Sequence, residues 1–286
     1  MIRLLIVSAL FGLVLCDEKK CGKCPPTPKL YEELGCVGVL DNNGCCFERF
    51  NCPDWNTLAA DKCHYKGRSY NISDTVSESD SPPCSIACHC SEGYDGTKPS
   101  FRCASVDCPE NFGFLEPGCV FQYSLDKCCN VAKVCGDDKI NELGKCELEG
   151  KTYTEGEKMY PDSSSCHTCL CTKDFNSSIP IESNPNCKKV DCGIELRNLY
   201  RLQSGCVPVY FGTSDCCPID YRCPSEKDEV MPIEGRADLD VLLEKTCKYG
   251  DHNLHIGQSL NSLEDKCVEC TCKQPPMVEC VKKTDC

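Results

Sequence analysis

The amino-acid sequence predicts a small disulfide-rich fold, made mainly of short antiparallel β-hairpins in tandem cysteine-rich modules with little hydrophobic core. Cysteine supplies 33 of the 286 residues, a density typical of disulfide scaffolds. The cysteines recur in one order along the chain, and aromatic residues make up only 7% of it. A single core of this length would need more large apolar side chains, so we expect several small units held by covalent bridges.

The first sixteen residues have the layout of a secretory signal peptide. Arg3 precedes an apolar run from Leu4 to Leu15, and the chain turns polar at Asp17. This run is too short to span a bilayer, so the sequence predicts a secreted, extracellular protein without a membrane span. We place cleavage after Cys16, because its removal leaves 32 cysteines, an even number that can pair fully in an oxidising compartment. A lipid-bearing Cys16 is less favoured, since Leu15 stands where a small residue is expected.

The mature cysteines fall into two complete blocks of ten and two half-blocks of six. After the signal peptide (1–16), we expect an N-terminal half-block at 17–58, complete blocks at 59–136 and 142–224, an acidic linker at 225–245 and a C-terminal half-block at 246–286. Gly67 and Gly150 lie between short extended runs at the start of the complete blocks, which predicts a β-hairpin in each. A short helix is expected in the linker, from Ala237 to Lys245.

The order of cysteines resembles that of the von Willebrand factor type C module. That family is marked by C-x(2–3)-C-x-C in the first half and C-C-x5-C in the second, and both complete blocks keep all ten positions. Chordin-like proteins and many small secreted arthropod proteins carry such modules. On this resemblance, the N-terminal half-block is the closing half of a module and the C-terminal half-block is an opening half. An aromatic residue that the family often places before the second cysteine is absent from Asn71–Pro83, whereas Tyr160 is placed to fill that position in the second block.

The disulfide pairing is what the resemblance implies: first with fourth, second with eighth, third with fifth, sixth with ninth and seventh with tenth. In the complete blocks it gives Cys63–Cys90, Cys84–Cys128, Cys88–Cys103, Cys108–Cys129, Cys119–Cys135, Cys146–Cys171, Cys166–Cys216, Cys169–Cys187, Cys192–Cys217 and Cys206–Cys223. In the half-blocks it gives Cys24–Cys46, Cys36–Cys52, Cys247–Cys272 and Cys270–Cys280. The cysteines left over are expected to pair as Cys21–Cys45 and Cys267–Cys286. The alternative is that the two half-blocks are joined head to tail, within one chain or between two.

We expect neither catalysis nor a metal or other cofactor. The sequence has no G-x-S-x-G, HExxH or P-loop motif, and an even cysteine count leaves no unpaired thiol to act as a nucleophile. Zinc ligands could be sought around His89 and His167, which stand among closely spaced cysteines. The signal peptide and the even count favour disulfides there instead.

Two sequons predict a glycoprotein. They are Asn71-Ile72-Ser73 and Asn176-Ser177-Ser178, and both lie in polar stretches between cysteines, where a glycan would project into solvent.

The resemblance implies that the protein binds an extracellular protein ligand. Tandem modules of this family commonly bind growth factors of the transforming-growth-factor-β and bone-morphogenetic-protein class, or matrix proteins. The formal net charge of −13 argues against nucleic acid as a partner and suits a basic protein ligand. Contacts are expected from the inter-cysteine loops Asn71–Pro83, Tyr94–Phe101 and Asp174–Asn186.

Two other functions fit the same features. The C-terminal half-block resembles a pacifastin-like serine protease inhibitor, although the gap after Cys247 is longer than in that family and Val268-Glu269-Cys270 replaces its Asn-x-Cys. Similar small modules also occur in secreted defence, venom and salivary components. Inhibition assays against trypsin-like, chymotrypsin-like and elastase-like proteases discriminate the first of these, and the site of expression discriminates the second.

Overall fold

The computed structural model describes residues 21–22, 24–25, 27–94, 97–113, 117–212, 216–233, 245–261 and 266–286. The signal peptide at 1–16 lies outside the described residues. So does the short helix expected from Ala237 to Lys245, apart from Lys245 itself.

Short antiparallel hairpins and sixteen disulfides confirm the expected fold class. The helices are α1 Lys29–Glu33, α2 Asp137–Asn141 and α3 Ile194–Gln203. The strands are β1 Val37–Leu40, β2 Phe47–Asn51, β3 Cys63–Tyr65, β4 Arg68–Tyr70, β5 Ser85–Ser91, β6 Ser100–Ser105, β7 Cys119–Gln122, β8 Ala132–Cys135, β9 Lys145–Leu148, β10 Lys151–Thr154, β11 Lys158–Met159, β12 His167–Leu170, β13 Cys187–Lys189, β14 Val207–Phe211, β15 Asp220–Arg222, β16 Glu229–Met231, β17 Thr246–Tyr249, β18 His252–His255, β19 Ser259–Asn261, β20 Val268–Thr271 and β21 Glu279–Lys282. Within the described ranges, no helix is long and apolar enough to cross a membrane.

A tight hairpin opens each complete block, as the sequence predicts. β3 pairs with β4, and β9 pairs with β10. The two turn residues have positive φ in both cases, 48° and 71° at Lys66 and Gly67, and 50° and 77° at Glu149 and Gly150. Two-residue turns of this hand match the twist of the flanking strands, and a glycine at the second position adopts them without strain.

The sixteen disulfides join the same cysteines as the pairing given above, in the complete blocks and in both half-blocks. Every bridge closes within one block, so the half-blocks are not joined covalently to each other. Several bridged cysteines are themselves the core: Cys88, Cys169, Cys247, Cys270 and Cys280 are fully buried. The covalent links thus supply part of the apolar interior that the composition lacks.

The blocks fold back on one another through helix α3. Leu196 of this helix is buried in the core of the first complete block, beside Tyr65 and Phe101. Ile194, on the same helix, is buried in a second core with Leu30 of the N-terminal half-block. One helix from the second complete block therefore links the first complete block and the N-terminal half-block by apolar packing.

The C-terminal half-block joins the second complete block in a six-stranded sheet of order β15-β14-β21-β20-β19-β16. Strand β14 runs parallel to β21, with Val209 opposite Cys280 and Tyr210 opposite Val281. The edge strand β16 lies inside the segment expected to be a linker, 225–245. It is ordered because Val230 packs against the core of the C-terminal half-block.

The two half-blocks also contact each other without a covalent bond. The Tyr31 hydroxyl donates to the Gln274 carbonyl at 2.6 Å and accepts from the Met277 N–H at 2.9 Å. The Phe50 N–H donates to the Pro275 carbonyl at 2.9 Å. The two ends of the described chain are therefore packed against each other around the second complete block.

Candidate ligand-binding surfaces

The buried histidines have local partners that account for them. His64 Nε2 is 2.9 Å from the Ala59 carbonyl, and its Nδ1 is 3.1 Å from Ser69 Oγ. His167 Nδ1 is 2.7 Å from Ser164 Oγ, and burial lowers its pKa. Both side chains are hydrogen-bonded parts of the packing.

Two groups of cysteines lie close enough together to suggest a metal site. They are Cys108, Cys128 and Cys129 in the first complete block, and Cys192, Cys216 and Cys217 in the second. All six are bridged. Metal ions bind the deprotonated thiolate, which a bridged sulfur does not offer, so these groups are pairs of neighbouring disulfides.

The first predicted contact loop, Asn71–Pro83, begins with a segment beside β5 and ends in turns. Its N-terminal part runs along β5, where the N–H groups of Ser73 and Val76 each donate to the β5 backbone at 2.8 Å. Val76 is buried and anchors the loop, while most of the other residues are exposed. The loop carries three acidic residues, Asp74, Glu78 and Asp80. It therefore presents a negatively charged rim, in which Asp80 is paired with Arg68 at 3.1 Å, on a segment that is held against β5.

The second predicted loop, Tyr94–Phe101, has one exposed and one buried end. Tyr94 is 75% exposed. Phe101 is buried edge-on against Tyr65 and Tyr70, with ring centroids 6.3 and 5.2 Å apart. Residues 95–96 lie outside the described part of the chain. Of the described residues in this loop, Tyr94 is the one most available to a ligand.

The third predicted loop, Asp174–Asn186, is braced from inside by the buried Asn184. Its Nδ2 donates to the Asn176 carbonyl at 3.0 Å, and its Oδ1 accepts from the Asn186 N–H at 3.0 Å. This loop belongs to the second complete block, and the structure does not join it to the other two.

Asn176 and Asn71, the two sequon residues, are both exposed.

The outer face of the β5–β6 sheet was missed by the sequence analysis. Ile86 is opposite Ala104 and His89 is opposite Arg102, and all four side chains are exposed. A bulge at Ala87, whose φ is 51°, brings Ile86 and His89 to the same face. The cysteine spacing indicates this bulge, because the first complete block has C-x3-C where the second has C-x2-C. The bulge accommodates the extra residue.

A cleft with a volume of about 940 Å³ lies where three blocks meet. Trp55 and Asp54 of the N-terminal half-block form one side, and Gln203 at the end of α3 forms another. Thr246 and Asn253 of the C-terminal half-block complete it. Its lining mixes polar and apolar groups without a cluster of one charge.

Comparison with known proteins adds no assignment. No family model matches the chain, and no solved structure matches it either. The likeness to the type C module therefore continues to depend on the cysteine order alone.

Proposed function

We propose that the protein is a secreted extracellular binding protein, and that it contacts a protein ligand through the first complete block. The contact surface consists of the outer face of β5–β6 together with the adjoining loop 71–83 and Tyr94, and we name it the first-block surface. The observation that carries the proposal is its exposed apolar content. Ile86 is 42% exposed, Ile72 is 38% exposed and Tyr94 is 75% exposed, all within the first half of one block.

The first-block surface is rigid before a ligand arrives. Cys63–Cys90 and Cys88–Cys103 tie β5 to β3 and β6, and Phe101 packs behind the sheet. Apolar side chains held in place on a stapled sheet lose little conformational entropy on binding. An aromatic residue such as Tyr94 supplies a large contact area at low entropic cost.

The ligand class follows from charge and from the resemblance. The acidic rim formed by Asp74, Glu78 and Asp80 and the net charge of −13 favour a basic protein. The type C resemblance implies a growth factor of the transforming-growth-factor-β and bone-morphogenetic-protein class, or a matrix protein. The signal peptide, the sequons and the disulfides all suit an extracellular site of action.

The test is equilibrium binding of the purified mature protein to an immobilised panel of such growth factors and basic matrix proteins. Ile86→Lys is expected to weaken the binding at least tenfold, because it removes an exposed apolar contact and places a positive charge against a basic ligand. Ile219→Lys is the matched control, since Ile219 is 56% exposed but lies on the second complete block. Failure to retain any member of the panel, or an equal loss in both variants, contradicts the proposal.

The protease-inhibitor alternative is less favoured by the C-terminal half-block. Its segment between Cys272 and Cys280 is packed under Tyr31, and Gln274 and Val278 within it are buried. An inhibitor loop has to protrude into the cleft of a protease, and this segment does not protrude. Assays against the three protease classes named above remain the direct check.

A further inference from the structure

The closing half of each block contains an equivalent hairpin. These hairpins are β1–β2, β7–β8 and β14–β15, and each follows a Gly-Cys pair. The first and third begin with the same pattern, Cys-Val-x-Val. Counting four residues from the cysteine gives Leu40, Tyr123 and Tyr210 as equivalent positions. The outer edge of the first strand can therefore be compared between these three hairpins.

In both complete blocks, the following block covers the outer edge of this hairpin. The Tyr123 N–H donates to the Gly156 carbonyl at 2.8 Å. Tyr210 lies opposite Val281 in the parallel pair of β14 and β21. As a result, Val207 and Tyr210 are each only 2% exposed.

The equivalent edge of β1 has no such cover among the described residues. β1 is paired with β2 alone in a two-stranded sheet. Val37, the counterpart of Val207, is 68% exposed, and Leu40, the counterpart of Tyr210, is 50% exposed. An exposed apolar strand edge is a template for pairing with another chain, and folded proteins usually protect such edges.

We propose that the outer edge of β1, Val37–Leu40, accepts an extended segment of a partner protein as an added parallel strand. The hairpin β14–β15, whose outer edge is paired with β21, indicates the chemistry of that segment. On β14, Val281 lies beside Tyr210 and Lys282 lies beside Phe211. The counterparts on β1 are Leu40 and Asp41, so the segment carries an apolar residue beside Leu40 and a lysine or arginine beside Asp41. Backbone hydrogen bonds hold such a strand, and alternate side chains select it.

This edge belongs to the N-terminal half-block and is separate from the first-block surface. The inference therefore stands whether or not that surface binds a growth factor. A second copy of this chain is a weaker candidate for the occupant, because its β21 is already held between β14 and β20.

The probe is a synthetic peptide of residues 277–284 in which serine replaces Cys280, with a scrambled peptide of the same composition beside it. Fluorescence anisotropy with the full mature chain measures the binding, and amide hydrogen exchange measures protection at Leu40. We expect saturable binding that slows exchange of the Leu40 amide. Val37→Lys is expected to weaken the binding at least tenfold, because it adds a positive charge at the apolar edge.

Val131→Lys is the matched control, since Val131 is 55% exposed and lies directly before β8 in the first complete block. The two variants make the same chemical change at similarly exposed valines, so both are expected to fold. The proposal is overturned if the peptide gives no protection at millimolar concentration, if the scrambled peptide protects equally, or if both variants weaken the binding alike. Sedimentation of the free chain as a dimer that Val37→Lys dissociates also overturns it, in favour of a second copy at this edge.

Discussion

The Tyr31 side chain connects residues that lie more than 240 positions apart in the sequence. Its ring stacks on Phe50 with centroids 4.5 Å apart, and its hydroxyl bonds to the Gln274–Met277 segment. Burial raises the pKa of Tyr31 well above its ordinary value, so the hydroxyl stays protonated and remains a donor. One oxygen atom, the Tyr31 hydroxyl, thus supplies both a donor and an acceptor to this contact.

Tyr31→Phe should lower the free energy of unfolding by about 1–3 kcal/mol, because the Gln274 carbonyl and the Met277 N–H lose a buried partner while the ring packing is kept. Guanidinium unfolding with the disulfides intact measures the effect. Tyr160→Phe is the control, since Tyr160 is 62% exposed, and it should change little. Equal stability of the Tyr31→Phe variant and the wild type would show that the Tyr31 hydroxyl does not bond to the Gln274–Met277 segment in solution.

Glu195 gives the fold a pH dependence of definite sign. It lies on α3, half-buried, and accepts from the Lys66 N–H at 2.9 Å. Burial raises its pKa above the ordinary value of 4.5, and the contacts with Lys66 offset this only in part. A carboxyl whose pKa is raised by folding costs nothing while it is protonated in both states. The cost appears as the pH rises through the unfolded value and is complete above the folded one.

Glu195→Gln should therefore leave stability unchanged near pH 3 and increase it at pH 7, because the amide still accepts from Lys66 but carries no charge to desolvate. Unfolding midpoints measured across this range, with the disulfides intact, provide the check. A variant that loses stability at neutral pH would mean that the Lys66 contact outweighs desolvation.

At the scale of elements, helix α3 and the β5 bulge determine what the molecule presents. The helix occupies the longer gap between Cys192 and Cys206, and its apolar residues Leu196, Leu199 and Leu202 recur at the helical spacing of three. The gap and the spacing indicate a helix, which the sequence analysis did not predict. The bulge was also marked, by one extra residue before Cys88, although spacing alone does not say which face the added residue exposes.

Leu196→Ala should destabilise the protein by about 2–5 kcal/mol, because Leu196 is only 2% exposed and its removal leaves a cavity between α3 and the first complete block. Thermal unfolding without reductant measures the loss. Leu40→Ala, at a half-exposed leucine, should cost far less. If the two substitutions cost the same, α3 does not pack into the first complete block.

At the scale of the whole molecule, the sequence predicted the fold class and hairpins such as β3–β4, and the pairing that the resemblance to the type C module implied matches the bridges. The cysteine order that carries the resemblance repeats between blocks, so each block repeats the same bridges. The packing of blocks on one another was not predictable in the same way. It depends on single distant contacts, such as Tyr31 with Gln274, that leave no periodic pattern. The predicted loops 71–83 and 94–101 lie on one block. The exposure of Ile86 on the sheet face beside them depends on the bulge at Ala87, whose direction the cysteine spacing does not predict.

The blocks form one body through non-covalent contacts. All three bridges of the C-terminal half-block, Cys247–Cys272, Cys267–Cys286 and Cys270–Cys280, are internal to it. Cutting the backbone between residues 233 and 245 therefore leaves no covalent link to the remainder. The β14–β21 and β16–β19 pairings would then hold the two pieces together, with the hydrogen bonds of Tyr31 and Phe50.

The most direct measurement is size-exclusion chromatography of the mature protein after cleavage at a specific protease site built into residues 236–241. The same protein with Val281→Asp, which places a charge at a half-buried position opposite the buried Tyr210, serves as a variant expected to weaken the association. We expect the two fragments of the cleaved wild type to elute together under native, non-reducing conditions. Separate elution of a free C-terminal fragment would contradict it.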